Sequence, residues 1–131
     1  MKQHPLQKLT QFHKNKSQYG IFSVCSSNPF VIKASISSTQ KENSFLIIES
    51  TSNQVDQFGG YSGITPADFI SNVHQTADAL GFDINKIIFG GDHFGPNVWQ
   101  NEPAESAMKK AADQIRAYVS AGYTKMQPLI M

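Results

Sequence analysis

Four short apolar runs, at residues 21–25, 45–50, 86–89 and 124–131, alternate with amphipathic stretches and read as strands. The second, Phe45-Leu46-Ile47-Ile48-Glu49-Ser50, has the continuous branched-apolar character of a strand buried on both faces, which marks parallel sheet. Helices fill the gaps. Leu6, Leu9 and Phe12 at spacings of three predict a leading helix over 5–16, ended by Tyr19-Gly20. Asn28 as cap and Pro29 in the first turn open a helix to about residue 39. Thr65, Pro66 and Asp68 open another by the same logic, with Phe69, Ile70, Val73, Ala77 and Leu80 on one face and Gly81 as its stop. Pro103 with Glu105 opens the last, whose apolar set is Ala107, Met108, Ala111, Ala112, Ile115, Tyr118 and Val119, with Gly122 as its stop.

Helix, then strand-helix three times, then a strand specifies α/β architecture built of parallel βαβ units with right-handed crossovers. The 131 residues read as one unit: the leading helix, βα units over 20–123, and an aberrant end at 124–131, where Pro128 is out of place in the middle of a strand. An open doubly wound sheet and part of an eight-unit barrel of about 250 residues both fit the pattern.

Composition narrows the function classes. With 40% hydrophobic and 16% charged residues the chain is globular, and a net charge of +1 from 11 basic and 10 acidic side chains gives no field to concentrate nucleic acid or an anionic membrane. No apolar stretch reaches membrane-spanning length and the amino terminus lacks a signal-peptide pattern, so a soluble, cytoplasmic protein is expected. The single cysteine, Cys25, lies in an apolar run and reads as a buried structural thiol.

In either architecture the loops after the strands gather on one side, so residues 26–28, 50–61 and 92–97 should share a face. There Gly90-Gly91-Asp92-His93-Phe94-Gly95-Pro96-Asn97 delivers an acid and an imidazole in the loop after the third strand. Asp92 as general acid beside a metal-binding His93 is one reading; a backbone-capping Asp and a structural His is the other. The segment from Ser50 to Tyr61 offers Ser52, Asn53, Gln54 and the backbone of Gly59 and Gly60 to a phosphate ester or to sugar hydroxyls, or it is a solvated loop with turn bonds of its own. Asn28 and Asn97 face the same mouth. Glu49 does too, or serves as a core salt-bridge partner, and Trp99 with Pro96 and Pro103 packs the loop onto the rim. No phosphate-binding loop, dinucleotide fingerprint or serine nucleophile elbow occurs.

Four segments carry a family resemblance: residues 20–29, 49–61 (Glu-Ser-Thr-Ser-Asn-Gln-Val-Asp-Gln-Phe-Gly-Gly-Tyr), 90–104 (Gly-Gly-Asp-His-Phe-Gly-Pro-Asn-Val-Trp-Gln-Asn-Glu-Pro-Ala) and 117–125. From about residue 18 to Lys125 the chain resembles the non-catalytic subunit of class II D-tagatose-1,6-bisphosphate aldolase. The resemblance implies the first half of a TIM (β/α)8 barrel, incomplete here. It also implies a role in galactitol and amino-sugar catabolism, in which the chain supports a separate zinc-dependent catalytic subunit, its expected partner. Class II aldolases place an Asp-His pair after the third strand, the Asp as acid and the His on zinc, and Asp92-His93 is similar in order and location; their other zinc ligands come from later strands. Older naming of the family as a tagatose-6-phosphate kinase matches no motif in these residues.

Where the family continues from Lys125 into the rest of the barrel, this chain reads Met126-Gln127-Pro128-Leu129-Ile130-Met131, so a truncated product is expected, with bare edges on the first and fourth strands. Two other readings remain open at this point: a metal-dependent aldolase or sugar-phosphate-binding protein in its own right, and a non-functional remnant, which would show no cooperative unfolding.

Overall fold

A computed structural model of the protein describes residues 3–15 and 20–128. Its strands are β1 (Ser23–Cys25), β2 (Leu46–Thr51), β3 (Ile87–Phe94) and β4 (Lys125–Pro128), and its helices α1 (Pro5–Lys14), α2 (Pro29–Lys41), α3 (Pro66–Leu80) and α4 (Ala104–Ala121). The caps form where the sequence puts them. Asn28 Oδ1 accepts the amides of Phe30 and Val31, Thr65 accepts that of Asp68, and Gly81 and Gly122 end α3 and α4 in the left-handed conformation. The leading helix stops at Lys14, short of the expected residue 16; the stop expected at Tyr19 lies outside the described residues.

All four strands are parallel and lie in the order β1-β2-β3-β4. Sequential order without a switch point is the arrangement of one half of a (β/α)8 barrel, and it separates the two architectures that the sequence pattern leaves open. α2, α3 and α4 form one layer against Leu46, Ile48, Ile87 and Phe89, burying Ile36, Phe69, Val73, Ala77 and Tyr118. On the other face α1 sits below Ile88, where Leu9 and Phe12 border a small gap with Ile21 and Phe45. That face becomes polar toward the carboxyl ends of the strands, with Glu49 and Lys125 in register on either side of Gly90 and the Ser23 hydroxyl bonded to Glu49.

The two glycines of β3 serve opposite faces. A methyl group on Gly90 would lie 2.9 Å from Glu49 Cγ, and one on Gly91 would lie 2.1 Å from the Phe94 ring. The first glycine opens the interior for an ion pair; the second admits Phe94, whose ring meets Tyr118 edge-on at 4.6 Å.

Three expectations change. β3 runs on through Asp92 and His93 to Phe94, so the acid and the imidazole belong to a strand and not to the loop after it. The buried face of α4 is Ala107, Ala111, Gln114 and Tyr118, while Met108, Ile115 and Val119 are exposed. Cys25 is exposed at the end of β1, because β1 covers only three residues and its last side chain stands at the open mouth. Pro128 ends β4 at the edge of the sheet, where a missing ladder donor is tolerated, and residues 129–131 lie outside those described.

Candidate functional site

The site is built on a bulge. Gly91 pairs with Met126 and Phe94 with Pro128, so β3 spends three steps where β4 spends two. The extra residue is absorbed at His93, a non-glycine in the left-handed region with φ 56°. Its effect is to turn Phe94 back into the helix layer, where it is 3% exposed, and to hold the His93 side chain out at the mouth, 60% exposed. Asp92 stays behind it, 19% exposed; its Oδ1 accepts the backbone N–H of His93 at 3.0 Å, and its Oδ2 lies 3.5 Å from His93 Nε2. The backbone-capping role considered for Asp92 is therefore present in the structure, toward its own neighbour.

The loop after β2 is fixed to this bulge and to α4. Ser52 donates its N–H to Asp92 O at 3.1 Å and its hydroxyl to His93 O at 2.8 Å. From below, the fully buried Gln114 donates to Ser52 O at 2.7 Å and the Tyr118 hydroxyl donates to Val55 O at 2.7 Å. Burial pushes the Tyr118 and Tyr123 phenols well above the ordinary range, so both remain neutral donors. Gln57 adds a third tie, donating to Lys110 O at 3.0 Å.

Between this loop and the turn at Pro96–Trp99 lies a cleft of ≈ 470 Å³ lined by Thr51, Ser52, Asn53, His93, Asn97, Val98 and Gln100. Of the residues expected at a site, Ser52, Asn53, His93 and Asn97 meet here, with Asp92 directly behind. The others are engaged elsewhere. Asn28 caps α2. Gln54 Oε1 accepts the Thr51 amide at 2.9 Å and lies 3.8 Å from Cys25 Sγ. Gly60 donates its N–H to Asp56 Oδ1 at 2.9 Å and Gly59 to Asp56 O at 3.0 Å, so these glycine amides close a turn and do not line the cleft. Trp99 packs with Ala107 and Ala111 of α4.

Glu49 takes the salt-bridge role. It is buried, accepts the Ser23 hydroxyl at 2.6 Å and is bonded by the Lys125 ammonium. Burial works against its charge, but the bonds from Lys125 and Ser23 together outweigh it and hold the carboxyl below its ordinary value. Although Cys25 is exposed, partial desolvation of its sulfur, reinforced by the carboxylates of Asp92 and Glu49, pushes the thiol up, which keeps it protonated and a poor nucleophile.

Zinc does not fit these residues alone. A zinc centre takes at least three protein ligands, and among the described residues no group of three His, Cys, Asp or Glu side chains converges. What the site can do is hydrogen-bond: hydroxyls, side-chain amides and an imidazole surround a pocket with one carboxylate at its back. Thr51 falls within the segment expected at 50–61, whereas Val98, Gln100 and Lys125 were not legible as site residues in the sequence. The register Glu49–Gly90–Lys125 is the signal that finds the last, and it requires aligned strands.

Among the described residues no helix is long and apolar enough to cross a membrane. The family "D-tagatose-1,6-bisphosphate aldolase subunit GatZ/KbaZ-like" matches residues 6–127. Curated relatives named D-tagatose-1,6-bisphosphate aldolase subunit GatZ are 52% identical in Klebsiella pneumoniae and 50% identical in Salmonella dublin, each over 114 residues covering 87% of this chain and 27% of the relative. A crystal structure of a probable tagatose 6 phosphate kinase from Sinorhizobium meliloti superposes with a TM-score of 0.81 at 47% identity, covering 84% of this chain and 28% of that one. The chain thus spans about a quarter of the length of the relatives it matches.

Proposed function

The chain belongs to the D-tagatose-1,6-bisphosphate aldolase subunit GatZ/KbaZ-like family, and from that premise we propose that it acts as an accessory subunit, stabilising a separate catalytic class II aldolase in sugar catabolism. The observation that carries this reading is the state of the Asp92-His93 strand end. The pair resembles an aldolase acid and metal ligand in order and location, yet the bulge holds the His93 side chain out at the mouth, and no third ligand converges on it among the described residues. The described residues by themselves do not hold a Lewis acid against a sugar carbonyl. A subunit that retains the scaffold and lends it to a partner has no such requirement. The setting that goes with this reading is the cytoplasm, because sugar bisphosphates carry charges that keep them from crossing membranes.

The test is tagatose-1,6-bisphosphate cleavage by the purified chain alone, and by a catalytic class II subunit with and without it. Cleavage is expected from the catalytic subunit and from the mixture. Cleavage by the chain alone, abolished by Asp92→Asn, would overturn the reading in favour of an aldolase in its own right.

A further inference from the structure

We infer that the cleft at the carboxyl ends of β2 and β3 takes the uncharged, hydroxyl-rich portion of a sugar and not a phosphate group. Phosphate sites are built from cations and converging N–H groups. None of the residues lining this cleft is Lys or Arg. Among the described residues, Lys125 is bonded to Glu49 and Lys110 to Glu102 at 2.5 Å, so neither ammonium is free for an anion. The Gly59 and Gly60 amides close on Asp56. Outside the lining, directly behind His93, the Asp92 carboxylate adds a negative charge that repels an anion.

The same groups suit a polyol. Sugar hydroxyls donate and accept, and the cleft offers both functions: amides of Asn53, Asn97 and Gln100, the Thr51 hydroxyl and the His93 imidazole. Thr51 Oγ1 donates to Asn53 Oδ1 at 2.6 Å, which commits that amide's oxygen and leaves its NH₂ group to donate. Ser52 is spent on the His93 carbonyl and serves to fix the wall. This wall is held in place before any ligand arrives, because Gln114 and Tyr118 anchor the loop from α4. The choice of D-tagatose as the probe sugar rests on the proposed function; the donor and acceptor argument does not.

The experiment is a titration of the isotope-labelled chain followed by NMR, with D-tagatose in one arm and inorganic phosphate in the other. Saturable shifts of the Asn53, Asn97 and Gln100 side-chain amides and of the His93 ring are expected with D-tagatose, and none at these groups with phosphate. Asn97→Ala, at an exposed position, should weaken the response about tenfold, and Asn97→Gln should recover part of it. Shifts of these groups by phosphate, or no response to D-tagatose, would overturn the inference. A chain that supports the aldolase with no cleft response fails this inference alone. One that binds the sugar but leaves the aldolase unaffected fails the accessory role alone.

Discussion

Lys125 on β4 reaches Glu49 on β2 across the whole width of the intervening β3, and the residue they cross is Gly90. The three are in register, and a β-carbon on the central one would stand 2.9 Å from Glu49 Cγ and 3.1 Å from its Oε1. An ion pair between next-nearest strands thus depends on an absent side chain between them. Ser23 on β1 supplies the carboxylate's other bond, so one acid on β2 is tied to both outer strands, β1 and β4.

Gly90→Ala should cost about 1–3 kcal/mol, as overpacking of a filled interior does. Urea unfolding of the single variant, of Glu49→Ala and of the double variant measures it. The double variant is expected to be less destabilised than the sum, since the clash is with the side chain that the second substitution removes.

The acid limb of stability should carry the signature of Glu49. Its carboxyl is held below its ordinary value in the folded chain, so its contribution is present above the unfolded pKa, about 4.3. That contribution fades as pH falls from there through the depressed folded value. Lys125→Met should destabilise the chain at neutral pH by about 2 kcal/mol and flatten its pH dependence below pH 5, read from denaturant midpoints at stepped pH.

At the alkaline end the sign reverses. Tyr118 and Tyr123 keep their protons in the fold to higher pH than in the unfolded chain, so their contribution is whole below about pH 10 and is lost as pH rises beyond it. Tyr118→Phe should cost about 1–2 kcal/mol at neutral pH, because the Val55 carbonyl loses its 2.7 Å donor. It should also soften the alkaline decline, as followed by phenolate absorbance together with far-ultraviolet circular dichroism.

His93→Gly should stabilise the chain by about 0.5–1 kcal/mol, relieving the left-handed backbone while removing a side chain with little packing to lose. His93→Val should destabilise it by about 1–2 kcal/mol, since a β-branched residue tolerates φ 56° poorly. Thermal midpoints of the two variants against the parent check the pair of signs.

The elements were legible because their signals are local. Asn28-Pro29 and Thr65-Pro66 open helices, Gly81 and Gly122 close them, and the branched run at 45–50 marks β2 within a residue at each end. What stayed hidden depends on partners remote in the chain. The double glycine reads as the end of a strand, yet Gly90 and Gly91 continue it, because what they make room for is Glu49 on one face and Phe94 on the other. The apolar set of α4 predicts a wider buried stripe than exists. Gln114 is buried in place of Met108, Ile115 and Val119 because the loop after β2 needs a donor there. Of the expected site residues, Ser52, Asn53, His93 and Asn97 converge, whereas Gly59 and Gly60 are diverted by Asp56, whose two turn bonds no spacing rule foretells.

The accessory role is tested most directly by the survival of the partner's activity. A catalytic class II tagatose-bisphosphate aldolase subunit is held at an inactivating temperature with and without this chain, and residual cleavage of tagatose 1,6-bisphosphate is followed with time. A subunit that binds and stabilises the native partner must lengthen the half-life of that activity severalfold, increasing with chain concentration toward a plateau. A half-life that does not change at any concentration of the folded chain would contradict the accessory role.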